Sequence, residues 1–583
     1  MQGELLFPLV FHLLLTALPM VAAELWAASR GEDRLPVLLG VGLAAGGLVA
    51  ILAFWAYYWE PVLGESFSYL VALGSCVAIG WCLYERNFDR GLLGGLALPL
   101  ALWALGSAFL VFLGFVHGGA DSSISTSGIR FFGRLPSDND IPRFFAEWFY
   151  ENGHRGDPPV YPGEWLSSDR PPLQTGYVLS QRPLGTGSAE LHYQVLGVIL
   201  QQLWIIGLWA FLLAARVGRM TRALAMGTVL VSGLALVNGF YVWPKLLPAA
   251  LLLAAAALVL TPLWEELRGK LWAAALFAAL CGLAMLAHGA SIFGVIPLLT
   301  IAAFRGMPGR RWLGVAALVG IVLMAPWSAY QKYGDPPGNR LLKWQIGGVV
   351  EVDDRGTLEA ITDTYGEIGL DGAIDYKVEN FETMAGGKEA YDSLRSGLDS
   401  GSLTEIVKSI RSVNFLFLLP SLGLLLLAPF AMLAAWRRGR REEPEWRFAL
   451  FCFAGFAIGA VAWGLLILGG EAAKTTIHVG SYLIPILGIC GCVAGLCAAL
   501  PRFAVPYLLA AAALSLALYV PVYDAAPGSS FSALNALFAA ASLAGFGILA
   551  TRASSEVLGD PRRLAVEDPD GEGADTEVDH HRR

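Results

Sequence analysis

Long apolar stretches recur along this 583-residue chain, and they constrain its fold more than any other feature. Each is about 18 to 25 residues long, enough for an α-helix to cross the roughly 30 Å hydrocarbon core of a membrane. Backbone polar groups must be paired inside lipid, so such stretches have to be helical. With 56% hydrophobic and 15% charged residues, the composition excludes a set of soluble domains. The sequence therefore predicts an all-α polytopic membrane protein.

We predict about fifteen transmembrane helices from these stretches. They lie near residues 5–28, 35–58, 66–84, 92–117, 194–216, 222–242, 245–263, 271–287, 289–304, 312–330, 413–435, 446–469, 476–500, 503–521 and 530–551. Arginine and lysine recur on alternate connecting turns, and short basic turns stay in the cytoplasm. This pattern places the N-terminus and two long segments, 118–193 and 331–412, outside a plasma or inner membrane. The C-terminus is predicted to be cytoplasmic.

The predicted domain organisation has five regions, because connection length and polarity change along the chain. They are three additional N-terminal transmembrane helices (1–91), a core that carries the outer loop 118–193 (92–330), a mostly helical extracytoplasmic cap (331–412), C-terminal transmembrane helices (413–551) and a disordered acidic cytoplasmic tail (552–583). The cap has about 80 residues, which offer only a modest core of their own. We therefore expect residues 331–412 to close against residues 138–193 over one cavity.

The outer loop contains an acidic turn, Asp138-Asn139-Asp140, followed by Pro142 and an aromatic stretch that ends at Tyr150. A proline in the first helical turn and a mostly apolar face predict a short helix lying in the membrane interface. The positive end of that helix would favour the ionised form of Asp140. Carboxylates at the mouth of a membrane bundle indicate chemistry at that surface. Turn formation and helix capping are the alternative explanation.

The acidic turn, the interfacial helix and the later Asp169-Arg170-Pro-Pro-Leu element together resemble the first outer loop of membrane-embedded glycosyltransferases of the GT-C fold. The similarity is to the branch of protein O-mannosyltransferases and lipid A aminoarabinose transferases. It covers roughly residues 92–521, and two later stretches, Tyr-Val-Trp-Pro-Lys ending at Lys245 and a Tyr-Leu-Ile-Pro stretch starting at Tyr482, are also similar. Asp-Asn-Asp stands where the family commonly has Asp-Glu. Either acid of the turn could therefore match the family's catalytic aspartate.

The resemblance implies an inverting glycosyltransferase that moves a sugar from a polyprenyl-phosphate donor to an extracytoplasmic glycan, lipid or protein. Asp138 and Asp140 are then the candidate catalytic residues, because a carboxylate base must take the proton of the acceptor hydroxyl. The departing phosphate needs cations. Candidate donor-binding residues near outer helix ends are Asp169, Arg170, Arg182, Lys245, His288, Arg340, Lys474, His478 and Tyr482. Snorkelling at the membrane boundary would also explain the lysines and arginines.

A divalent cation is a candidate cofactor, because Mg²⁺ and Mn²⁺ prefer carboxylate oxygens. Asp138, Asp140 and Asp169 are its candidate ligands. Membrane lipids are expected partners. No basic patch with interleaved aromatic residues indicates nucleic acid, and no Gly-Lys-Ser/Thr loop indicates an ATP-driven pump.

Two other functions compete with the transferase. An O-antigen-type polymerase or ligase also uses lipid-linked sugars, but it generally relies on arginines and histidines outside the membrane. A lipid or sugar transporter predicts acids and bases deep inside the spans, whereas most ionisable residues here lie at span ends or in loops.

Overall fold

A computed structural model describes residues 2–552, except positions 87, 132–134, 186, 350, 353, 385–386, 408, 410–428, 469–480 and 522–529. Within these residues the regular structure is helical and contains no β-strand, which confirms the all-helical class. The predicted tail and most of the span at 413–435 lie outside the described residues.

The helices are named in chain order. They are α1 Gln2–Ser29, α2 Leu35–Trp59, α3 Pro61–Glu85, α4 Arg90–Gly114, α5 Ser123–Ile129, α6 Ile141–Asn152, α7 Leu173–Gln181, α8 Ala189–Gln201, α9 Trp204–Ala214, α10 Arg219–Leu230, α11 Gly233–Tyr241, α12 Leu246–Val259, α13 Leu263–Leu267, α14 Leu271–Ala287, α15 Ile292–Arg305, α16 Arg310–Ala329, α17 Arg340–Gly347, α18 Thr357–Met384, α19 Gly387–Asp399, α20 Pro444–Leu466, α21 Leu483–Ala499, α22 Pro501–Tyr519 and α23 Ala533–Arg552.

Nine helical segments of the described chain are long and apolar enough to span a membrane, or ten if the bent pair α10–α11 is one span. This confirms a polytopic helical membrane protein but does not confirm fifteen spans. Four of the predicted spans correspond to apolar helices of 10–17 residues, which are α12, α14, the Gly289–Arg305 segment and α21. Apolar composition alone does not separate a full span from a shorter helix buried by its neighbours.

Helix α12 lies at the centre of the bundle, and all of its residues are buried. It is almost entirely leucine and alanine, as expected of a helix that is apolar all round and covered on every side. It packs against α2, α9, α14 and α15. A Cβ on Gly207 of α9 would lie 2.2 Å from the carbonyl oxygen of Ala250, so only glycine permits this close approach. Helices α9 and α12 therefore touch backbone to backbone near the N-terminus of α12.

Part of the first long segment, residues 118–193, packs into the helix bundle. Its helix α7 is almost completely buried and packs along α2. A Cβ on Gly176 would lie 2.0 Å from the carbonyl oxygen of Ala50 in α2, so the two backbones touch at this glycine. Helix α7 has only 9 residues and is too short to cross a membrane, and α2 covers its apolar side chains.

The second long segment is helical through α17, α18 and α19, as predicted, and it contacts the first. The hydroxyl of Ser167 donates a 2.6 Å hydrogen bond to Asp335, and the rings of Trp165 and Trp344 lie 5.6 Å apart. The two segments therefore meet at the end of the bundle that carries the acidic turn.

Arg130 joins two helix ends, and we expect its loss to be strongly destabilising. It is buried and donates to the carbonyl of Leu113 in α4 at 3.2 Å and to that of Val520 beyond α22 at 2.8 Å. Arg130→Leu leaves these terminal carbonyls unpaired, and each lost charged hydrogen bond is worth about 1.5–3 kcal/mol. The melting temperature of the purified variant should fall clearly. Arg155→Leu, which changes a 67% exposed side chain, is the control, and equal melting temperatures would contradict this role.

Candidate functional site

The acidic turn Ser137–Asp140 is a 3₁₀ turn that leads directly into α6, so a helix follows the turn as predicted. Its backbone is anchored from two helices. The hydroxyl of Tyr193 in α8 donates to the carbonyl of Asn139, and the hydroxyl of Tyr241 in α11 donates to that of Pro136. The buried Asn139 side chain donates a 2.8 Å hydrogen bond to Ser127. The two aspartates on either side of it are therefore held on a fixed backbone.

Asp138 forms an ion pair with Arg170, the arginine of the Asp-Arg-Pro-Pro-Leu element. Nη2 of Arg170 lies 2.8 Å from Oδ2 of Asp138, and the two side chains are 8% and 16% exposed. Nε of Arg170 is buried and has no hydrogen-bond partner among the described residues. The pair thus combines a partly exposed carboxylate with a guanidinium whose Nε–H is unpaired within the described part of the chain.

Lys245 carries a buried charge at this site, because it is 2% exposed and its Nζ has no hydrogen-bond partner within the described chain. Nζ lies 4.6 Å from the ring of Trp243 and 5.6 Å from that of Tyr482. The guanidinium of Arg170 lies 6.0 Å from the same Trp243. Aromatic faces attract cations, but they replace only part of the hydration that a buried ammonium loses.

We name Asp138, Arg170, Trp243, Lys245 and Tyr482 the Trp243 cluster. The ring of His288 lies 6.0 Å from Trp243, so a further predicted residue borders this cluster. The structure brings together five of the residues predicted from sequence, which are Asp138, Arg170, Lys245, His288 and Tyr482. Arg170, Lys245 and His288 lie beside the Trp243 ring, Asp138 is joined to it through Arg170, and Tyr482 through Lys245.

Two glutamines fix the backbone around Lys245. Oε1 of Gln201 accepts hydrogen bonds from the N–H groups of Leu246 and Leu247, at 2.9 and 3.0 Å, and so caps the start of α12. Nε2 of Gln174 donates to the carbonyl of Val242 at 2.9 Å. Val242 has a φ of 55°, which is rare for a β-branched residue and costs about 1–3 kcal/mol of strain. Lys245 is therefore held between two anchored stretches of backbone.

Asp169, next to Arg170 in the chain, has a fully buried side chain. Its Oδ2 accepts a 2.9 Å hydrogen bond from the N–H of Leu166 and lies 3.7 Å from Arg340, whereas its Oδ1 has no partner among the described residues. The guanidinium groups of Arg170 and Arg340 lie 4.2 and 4.7 Å from the Trp165 ring. Burial raises the pKa of Asp169, although the Leu166 N–H and the two arginines oppose this effect.

The raised pKa of Asp169 predicts a pH dependence of stability. A carboxyl whose pKa is higher in the folded state binds more protons when folded, so it destabilises the protein as the pH rises from about 4 through the folded pKa. Asp169→Asn removes this contribution. Its melting temperature relative to the wild type should therefore rise between pH 4 and pH 7.

The control for this measurement is Asp363→Asn, which changes an exposed acid paired with Arg355. Its melting temperature should differ from the wild type by a nearly constant amount over the same range. A constant difference for Asp169→Asn as well would show that burial of this carboxyl does not affect stability.

Asp140 is held differently from Asp138. Both of its oxygens are bound by Arg143, through Nε at 2.6 Å and Nη2 at 2.8 Å. Its side chain does not cap α6, and burial raises its pKa more than Arg143 lowers it. We expect from the sequence that the N-terminus of α6 stabilises the ionised form of Asp140. In the structure the Asp140 carboxylate forms an ion pair with Arg143 instead. Asp138, with one oxygen bonded to Arg170, is the more available base.

Arg182 lies outside the Trp243 cluster. It pairs with Glu147 of α6, through Nε at 2.8 Å and Nη2 at 3.1 Å. The structure therefore does not support Arg182 as a donor-binding residue of this cluster. Lys474 and His478 fall in the 469–480 stretch, outside the described residues.

The three acids proposed as metal ligands do not converge. Asp138, Asp140 and Asp169 each interact with a different arginine. Among the described residues, no three histidine, cysteine, aspartate or glutamate side chains form a group that could hold a metal ion. The reaction proposed below therefore assigns no chemical step to a metal.

Sequence reasoning missed Trp165, Trp243 and the two glutamines as site residues. Trp243 lies two residues before Lys245 in the Tyr-Val-Trp-Pro-Lys stretch, and Gln201 interrupts an apolar span, where a polar residue is a signal of function. No protein-family model, curated protein or solved structure matches the chain.

Proposed function

We propose that this protein is an integral-membrane inverting glycosyltransferase that takes a sugar from a polyprenyl phosphate and passes it to an extracytoplasmic glycan, lipid or protein. The observation that carries the proposal is the Trp243 cluster. Arg170 and Lys245 are two buried cations beside one indole ring, each with N–H groups that have no hydrogen-bond partner among the described residues, and Asp138 is bonded to Arg170. This arrangement offers an anion-binding position next to a carboxylate base.

The proposed reaction uses these groups in one displacement. Asp138 takes the proton of the acceptor hydroxyl while the acceptor oxygen bonds to the anomeric carbon. The bond between that carbon and the phosphate oxygen breaks on the opposite face, so the configuration inverts and polyprenyl phosphate leaves. Lys245 and Arg170 bind the negative charge that develops on the phosphate. A positioned base contributes about 10²- to 10⁴-fold in rate, and preorganised charge often contributes more.

An O-antigen-type polymerase or ligase would use the same cations without a carboxylate base. The ion pair between Asp138 and Arg170 places a carboxylate beside one of these cations. This favours the transferase, because that reaction needs a carboxylate base. Neutralising Asp138 separates the two functions, because it would leave a polymerase or ligase active but would inactivate the transferase.

The proposal is tested by reconstituting the protein in liposomes with a panel of polyprenyl-phosphate sugars and a membrane extract as the source of acceptor. We expect at least one donor to be consumed, with release of polyprenyl monophosphate that mass spectrometry detects. Binding of these donors without any consumption, across several acceptor extracts, would reject transferase chemistry and favour transport.

The alternation of basic turns predicts which segments face outward. In a Cys76→Ser background, cysteines introduced at the exposed positions Asp157 and Asp371 should react with a membrane-impermeant thiol reagent in intact cells. A cysteine at Arg441 should react only after the membrane is opened. Protection of Asp157→Cys in intact cells would place the acidic turn on the wrong side for an extracytoplasmic acceptor.

A further inference from the structure

The second half of α18 carries an exposed apolar stripe. A break at Gly369, where φ is 65°, separates residues 370–384 from the first half of the helix. Four apolar side chains then follow at spacings of three and four residues, which places them on one face of the helix. They are Leu370, Ile374, Val378 and Phe381, and they are between 39% and 77% exposed. We name these four residues the α18 stripe.

The polar residues of the same half divide into two groups, one on each side of the stripe. At about 100° per residue, Lys377 and Asn380 lie on one side of it. An acidic face lies on the other side, and it consists of Asp371, Asp375, Glu379 and Glu382. Asp371 and Asp375 are exposed. The stripe therefore lies between a face that carries an amide and an ammonium and a face that is acidic.

The face with Lys377 and Asn380 is docked on the end of α20. Nδ2 of the buried Asn380 donates to the carbonyls of Gly464 and Ile467, at 3.0 and 2.9 Å, and Lys377 also donates to the carbonyl of Ile467. The last carbonyls of a helix have no partner within that helix. These hydrogen bonds therefore fix the second half of α18 at the C-terminus of α20.

The C-terminus of α20 is also the place where a candidate membrane span ends. Leu465 and Leu466 in its last turn are exposed, as expected of side chains that face lipid. A Cβ on Gly464 would lie 2.5 Å from the ring of Phe381, so the stripe approaches the α20 backbone closely at this glycine. The α18 stripe therefore adjoins the lipid-facing surface of a spanning helix where that helix reaches the membrane boundary.

The size and charge of this face indicate what covers it. Four partly exposed side chains offer less than the roughly 800 Å² per partner that a stable protein interface buries. An amphipathic helix at a membrane boundary buries its apolar face among head groups and acyl chains. Residues 370–384 contain four acids and one lysine, so an anionic lipid surface repels them.

We propose that the second half of α18 lies in the outer surface of the membrane, with the α18 stripe inserted among lipids that have no net charge. The acidic face then points to water, and Lys377 and Asn380 hold the helix to α20. This contact attaches the segment 331–412 to the bilayer. It does not depend on the proposed glycosyltransferase function, since it requires neither donor nor acceptor.

Electron paramagnetic resonance of the full-length protein in phosphatidylcholine nanodiscs tests the proposal. In the Cys76→Ser background, a nitroxide is attached to Ile374→Cys on the stripe or, as the matched control, to Asp375→Cys on the acidic face. Oxygen concentrates among acyl chains, whereas a polar nickel complex stays in water. Collisions with oxygen should exceed those with nickel at position 374 and fall below them at position 375.

Two further measurements use the nitroxide at position 374. Leu370→Ser/Val378→Ser changes only exposed positions of the stripe, and it should lower the ratio of oxygen to nickel collisions to the value found at position 375. Replacing half of the lipid by anionic phosphatidylglycerol should also lower this ratio, because the acidic face is repelled.

Three results would overturn the proposal. More collisions with nickel than with oxygen at position 374 in phosphatidylcholine would place the stripe in water. Few collisions with either reagent would show that protein, such as a second copy of the chain, covers the stripe. A higher ratio in phosphatidylglycerol than in phosphatidylcholine would contradict the preference for lipids without net charge.

Discussion

Asp138→Asn is expected to reduce sugar transfer by about 10²- to 10⁴-fold while leaving the fold and donor binding nearly intact. The change preserves size, and the asparagine oxygen can still accept the 2.8 Å hydrogen bond from Arg170. Only the basicity is lost. A loss of this size corresponds to roughly 3 to 5 kcal/mol of activation free energy. Removing a structural contact of this kind typically costs only about 1 kcal/mol of stability.

Asp140→Asn is the matched control for this variant, since it changes the other acid of the same turn. Both oxygens of Asp140 are bound by Arg143, so we expect a much smaller loss of turnover. Single-turnover rates are measured with donor already bound, so they compare the chemical step in the two variants and do not depend on donor affinity. Near-normal rates in Asp138→Asn would reject the base and favour the polymerase or ligase. A larger loss in Asp140→Asn would assign the base to the other aspartate.

Lys245→Met is expected to raise the stability of the protein and to lower its affinity for the donor. Lys245 is buried without a hydrogen-bond partner in the described chain, so replacing its ammonium by an apolar group of similar length should stabilise the protein by roughly 1–4 kcal/mol. The same change removes a charged hydrogen bond to the donor phosphate, and affinity should fall roughly 10- to 150-fold. A residue with only a packing role would not produce this combination.

Melting temperatures and binding of a polyprenyl-phosphate sugar to purified protein test this expectation. Lys332→Met, at an exposed position after α16, is the control and should change neither quantity by much. Unchanged donor affinity in Lys245→Met would remove Lys245 from the phosphate site. A fall in melting temperature would show that the ammonium has a stabilising partner.

The class of the fold and much of the site can be predicted from short-range features of the sequence. Length and apolarity are enough to predict membrane helices, and Pro142 after two acids predicts the start of α6. The residues Asp138, Arg170, Lys245 and Tyr482 were predicted from motifs and from their position at helix ends. Their meeting around Trp243 was not predicted, because it depends on how distant helices pack.

The number of spans was the least predictable part of the fold. An apolar run such as that of α12 satisfies the same composition test as a full span, although its length is set by the helices that cover it. The burial of α7 depends on Gly176 meeting the backbone of α2, a contact between residues 126 positions apart in sequence. The pairing of Arg182 with Glu147, instead of with a donor, is likewise a consequence of packing.

Cryo-electron microscopy of the purified protein with a bound polyprenyl-phosphate sugar tests the central claim most directly. We predict phosphate density within hydrogen-bond distance of Lys245 Nζ and next to Arg170. The anomeric carbon should face Asp138, with room for an acceptor hydroxyl between them. Phosphate density at another part of the bundle, with Lys245 still unpartnered and Asp138 away from the sugar, would contradict the proposed function.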